Sequence, residues 1–139
     1  MDRGELLLGS LAVAGMAMTG SSVATDLYVG QALGVIELVR FRLKKSISTE
    51  VWLKANEEIS EWIKRQSGFR FRNLSETEGG EWIDVVYWDD KEAAEKANER
   101  AMKEIGGAFS LIDENSMVMS HGKSHVMLRA STSYNTTRD

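Results

Sequence analysis

The stretch Trp82-Ile-Asp-Val-Val-Tyr-Trp88, followed at once by Asp89-Asp-Lys-Glu-Ala-Ala94, decides the fold. Its first seven residues are β-branched and aromatic enough to read as a strand. Period-2 alternation puts Trp82, Asp84 and Trp88 on one face and Tyr87 on the other. Asp89 and Glu92 then make an Asp-x-x-Glu capping box. Behind it Ala93, Ala94, Ala97, Ala101, Met102 and Ile105 repeat at helical spacing until Gly106-Gly107 ends the run.

Working upstream, Gly79-Gly80 predicts a hairpin turn back to a strand over Phe69–Leu74. Before it, Val51, Trp52, Ala55, Ile59, Trp62 and Ile63 form one apolar helical stripe, capped by Ser48 and stopped at Gly68. The first strand is Val35–Leu43, alternating strictly in its C-terminal half. Downstream, Ala108–Ile112 reads as a short extra helical turn and Met117–His121 as the last strand. The order βαββαβ is the ferredoxin-like, split-βαβ arrangement of the α+β class, with an antiparallel sheet. Two helices cover one sheet face, so the apolar side chains on the other face also need cover. A second copy of the chain is the simplest cover, which predicts a homodimer.

The chain has 139 residues, enough for one domain. Its formal charge of −4 argues against a nucleic-acid partner, which needs a basic footprint. Cysteine is absent, which excludes disulfides, thiol catalysis and cysteine-held metals. Two histidines leave little scope for a metal centre. His121 and His125 stand four apart around Gly122, about 13 Å along a strand, too far to share one ion.

Leu6–Thr25 contains no charged residue, and Ser22 and Ala24 fit the −3 and −1 positions of a signal-peptidase site. The reading is a signal peptide over 1–24, a linker over 25–33, the folded domain over 34–127 and a disordered tail over 128–139. The mature protein is then exported, to the periplasm or outside the cell, with no stable membrane insertion after cleavage. Met1–Glu5 carries one positive and two negative side chains, unlike most signals. An uncleaved membrane anchor and a cytoplasmic Gly/Ala-rich extension are the alternatives.

The segments Trp82–Ala94, Ala108–Asp113 and Ser116–His121 together resemble the antibiotic-biosynthesis-monooxygenase-like branch of the dimeric α/β-barrel superfamily. The resemblance spans about residues 34–125. It implies a dimeric barrel and a small hydrophobic or aromatic ligand. The reaction it implies is a cofactor-independent monooxygenation of a small aromatic or quinol. A non-catalytic small-ligand-binding or stress-related barrel is the alternative, because one fold hosts many functions. The superfamily also includes haem-degrading oxygenases. Here the second helix offers Asn98 and no histidine, and the first strand Val39-Arg40 instead of asparagine, so no cofactor is expected.

Trp88 closes its strand where the resemblance places the pocket, and it can stack on a planar ligand or cap the core. Asn98 and Arg40 supply the other polar residue types that the resemblance implies for a substrate pocket. His121 is the candidate catalytic acid or base; its alternative is a hydrogen-bonded interfacial histidine. Asp84, if buried, needs a partner, for which Arg40 or Arg42 is available.

Overall fold

The fold is given by a computed structural model, which describes residues 25–29 and 33–130. These elements are β1 (Thr25–Val29), β2 (Val35–Leu43), α1 (Thr49–Ile63), β3 (Phe69–Glu76), β4 (Trp82–Trp88), α2 (Lys91–Glu104), α3 (Gly106–Phe109), β5 (Ile112–Lys123) and β6 (Val126–Ala130). The chain divides into two units. One, Gly34–Lys123, holds the βαββαβ arrangement. In the other, β1 and β6 pair antiparallel, Thr25 opposite Ala130 and Val29 opposite Val126. Segments expected as linker and tail therefore include strands, and each strand satisfies the other's backbone. The expected leader over 1–24 lies outside the described residues. No described helix is long and apolar enough to cross a membrane.

The four-stranded sheet is antiparallel throughout, in the order β3-β4-β2-β5. Its helix-side face supplies Phe41, Trp82, Val86 and Trp88 to the core, against Trp52, Ile59, Trp62 and Ile63 of α1 and Ala94, Ala97 and Ala101 of α2. Phe41 meets Trp52 edge to face at 5.4 Å between ring centroids, and Trp52 meets Trp82 at 6.4 Å. The α1 stripe differs from expectation at two positions. Val51 is half exposed, and Asn56 is buried in its stead. Asn56 lies four residues from Trp52 and three from Ile59, at the stripe's centre, and its amide donates to the Trp52 carbonyl at 3.2 Å.

Ser48 caps α1, its hydroxyl accepting from Val51 N at 3.2 Å. On α2 the cap is one residue later than the sequence pattern suggests. Asp90 accepts from Ala93 N at 2.8 Å, while Asp89 is taken by Arg70 at 2.6 Å. Along the helices' solvent faces, hydrogen bonds to Glu57 and Glu92 raise the Lys54 and Lys96 pKa values, and one from Lys64 lowers that of Glu61. These pairs are fully solvated and hold little of the fold.

β5 begins five residues earlier than expected because it absorbs an irregularity. Arg40 opposes Val118 but Arg42 opposes Asp113, so β5 carries extra residues there. Ser116 stabilises the bulge: its Oγ accepts from Arg42 N at 2.8 Å and donates to the Asp113 carbonyl at 2.6 Å. At the start of β2, Gly34 has φ +81°, and a Cβ there would strike the Trp88 carbonyl oxygen. Glycine thus lets the chain enter β2 directly beside the end of β4.

Candidate functional site

Between the sheet and the inner faces of the helices lies a cavity of about 310 Å³, at the small end of ligand sites. Phe41, Val86, Trp88 and Trp52 give it apolar walls, and the small side chains of Ala97 and Ala101 leave volume opposite them. Met102 of α2 and Met117 and Met119 of β5 also line it and are exposed, so it reaches solvent between that helix and the edge strand. A larger groove of about 540 Å³ outside α1 and α2 is lined by solvated charges such as Glu58, Glu61 and Arg65. Apolar enclosure favours the inner cavity as the place for an organic ligand.

Two polar clusters are set into that apolar lining. The first centres on Glu37 of β2, 3% exposed. Its Oε2 accepts from Asn98 Nδ2 at 2.7 Å and lies 2.7 Å from His121 Nε2. Register explains the meeting with His121: the two residues oppose each other directly across β2 and β5. Asn98 reaches the same oxygen from α2. Three elements thus hold one carboxylate at the cavity wall.

The second cluster is an ion pair. Arg72 Nη2 lies 2.7 Å from Asp84 Oδ2, and Arg72 Nε donates to Asp84 Oδ1 at 3.0 Å. The guanidinium also donates to Asn56 Oδ1 at 2.6 Å and to Ser60 Oγ at 3.1 Å. Every nitrogen of Arg72 is therefore engaged, which is what lets the charge sit largely buried.

The sequence-derived candidates fall into two groups. Trp88 and Asn98 line the cavity. His121 stands behind its wall, on Glu37. Arg40 does not line the cavity. Val39 and Phe41 face the helices, so alternation turns Arg40 to the opposite face, where Nε lies 3.5 Å from Glu81 Oε1. The same alternation corrects the partner of Asp84: β2 sets Val39 opposite it, Arg42 Nη1 donates to the Gly79 carbonyl, and the pairing falls to Arg72 on β3. Tyr87 lies away from Trp88, against Phe71 at 5.8 Å.

Glu37 and Arg72 are the site residues that sequence reasoning passed over. A signal for Glu37 exists: it shares the parity of Val35, Val39 and Phe41, a carboxylate in phase with an apolar face. Two further buried polar atoms, Trp52 Nε1 and Trp88 Nε1, have no hydrogen-bond partner among the described residues. Unmet buried donors cost about 1–3 kcal/mol each, so this wall is not optimised for stability alone.

No protein-family model matches the chain. No curated protein matches it by sequence either. Solved structures do. A putative antibiotic biosynthesis monooxygenase from Nitrosomonas europaea superposes with a TM-score of 0.57 at 12% identity, over 70% of this chain and 94% of that one. A monooxygenase from the gene ActVA-Orf6 of Streptomyces coelicolor, solved with nanaomycin D, gives 0.53 at 15% identity over 69% and 91%. SnoaB, a cofactor-independent oxygenase from Streptomyces nogalater, gives 0.50 at 16% identity over 76% and 97%. The chain has the antibiotic-biosynthesis-monooxygenase fold. At these identities the likeness is one of fold, and the chemistry of this domain rests on its own cavity residues.

Proposed function

We propose that the chain is a cofactor-independent, monooxygenase-like enzyme that takes a small aromatic or quinol into the cavity beside Trp88. The observation that carries this reading is an apolar, aromatic-walled cavity with a buried carboxylate, Glu37, held at its wall by Asn98 and His121. In such a reaction the ring itself supplies the electrons. A phenol plus dioxygen gives a quinone plus water: one oxygen atom enters the ring, the other leaves as water, and four electrons come from the substrate. The protein's part is to exclude water, orient the ring and accept the hydroxyl proton, for which Glu37 is placed.

Haem degradation fits the residues poorly, since α2 carries no histidine and His121 Nε2 is engaged by Glu37. A non-catalytic binding module is the competing reading, and the position of His121 behind the wall instead of in the cavity favours it.

Oxygen consumption over a panel of quinols and phenols separates the two, with Trp88→Phe and His121→Ala alongside. Turnover reduced in both variants is expected. Turnover that both leave untouched rejects this site. Binding without turnover assigns the module to ligand carriage.

A further inference from the structure

We propose that Met102, Met117 and Met119 form a binding site for a soft monovalent cation, Cu(I), where the cavity opens to solvent. The site is separate from the reaction proposed above, and no step of that reaction passes through the metal.

The methionines are gathered at one place. Of the four among the described residues, Met127 lies on β6, and the other three line the cavity. Met102 is 66% exposed, Met117 38% and Met119 45%, so an ion can reach all three from solvent.

Two elements bring the sulfurs together. Met117 and Met119 are two residues apart on β5 and share its helix-side face, with Cα atoms about 7 Å apart. Met102 comes from α2, about one turn after Asn98, and Asn98 Nδ2 lies 3.9 Å from Met119 Sδ. Each side chain is unbranched with three rotatable bonds, so thioethers spaced in this way can close on one ion.

The donor set selects the metal. Thioether sulfur is a soft ligand that suits Cu(I). Zinc is held by thiolate, imidazole and carboxylate groups. The chain has no cysteine, and no group of three or more His, Asp or Glu side chains among the described residues could hold a metal. Charge favours a cation as well. Glu37, Asp84 and Glu114 line the cavity against one described cationic side chain, Arg72, which is paired with Asp84. Leucine would make an equally apolar rim without a donor atom, so Met→Leu variants separate metal binding from packing.

The test is a titration of the full chain, carbon-13 labelled at the methionine methyls, with silver nitrate in chloride-free buffer. Ag(I) serves as a redox-stable stand-in for Cu(I). The methyl signals of Met102, Met117 and Met119 are expected to shift together and to stop at one equivalent, with Met1, Met16, Met18 and Met127 unmoved. Met117→Leu and Met119→Leu conserve volume at exposed positions and should each weaken binding about tenfold or more, while Met127→Leu leaves it unchanged. Wild-type protein should withdraw Cu(I) from its bicinchoninate complex, and the double Met117→Leu, Met119→Leu variant should not. Shifts spread over all seven methyls, separate endpoints for the three, or affinity that survives the leucine swaps overturns the site and leaves the methionines an adaptable apolar rim. Zinc sulfate moving the same methyls overturns the choice of metal.

Discussion

Glu37 and His121 are 84 residues apart in sequence, yet they stand directly opposite each other on neighbouring strands with Oε2 and Nε2 2.7 Å apart. Both project to the helix side of the sheet, where Asn98 of α2 joins them on the same oxygen. The arrangement fixes the orientation of the carboxylate through one of its oxygens. His121 is thereby a positioning residue for Glu37.

The Arg72–Asp84 pair should be costly to break and cheap to replace. Its side chains are 9% and 18% exposed. Arg72→Met or Asp84→Leu alone leaves an uncompensated charge near the core and is expected to cost about 3–5 kcal/mol in urea unfolding. The double variant should recover most of that loss. Additive losses in the double-mutant cycle would refute a coupled pair.

Gly34→Ala should destabilise the protein by about 2 kcal/mol or more, combining the cost of positive φ with the clash on the Trp88 carbonyl. Chemical denaturation measures it. A loss below about 0.5 kcal/mol would mean that the β2 entry relaxes freely.

Arg40→Ala should leave ligand affinity unchanged and shift stability by no more than about 1 kcal/mol, because the Glu81 pair is largely solvated. A marked loss of ring binding in this variant would bring Arg40 back into the site.

The sheet face away from the helices carries Leu38, Ile83, Val85 and Tyr87, with Phe71 and Val118 each more than half exposed. An apolar face of this kind suits a self-association surface. Sedimentation equilibrium of the full chain is expected to give a homodimer, and Val85→Lys should shift it to monomer with its helical content intact. A wild-type monomer at micromolar concentration sinks the dimeric barrel.

Export, with cleavage before Thr25, would leave β1 whole. N-terminal sequencing of protein from fractionated cells is expected to begin near Thr25 outside the cytosol. Intact Met1 in the cytosolic fraction contradicts it.

The sequence by itself determined the order of the central elements and the facing of their side chains. Val35–Leu43 and Trp82–Trp88 form strands over the spans their alternation marks, and Ser48 caps α1, because these features arise from residues a few positions apart. Asn98 was legible as a polar group on α2 for the same reason, whereas the family resemblance, not local pattern, set Trp88 beside a pocket. What only the tertiary structure decided is who meets whom. Alternation makes Glu37 face the helices, but nothing local says that β5 will lie beside β2 with His121 in register, or that α2 will cross with Asn98 over the same oxygen. Asp84 likewise found Arg72 on β3 instead of an arginine on β2, since strand neighbours and register follow from the burial of whole faces at once. The pairing of β1 with β6 joins segments about a hundred positions apart, and a five-residue strand carries little signal until its partner satisfies its backbone.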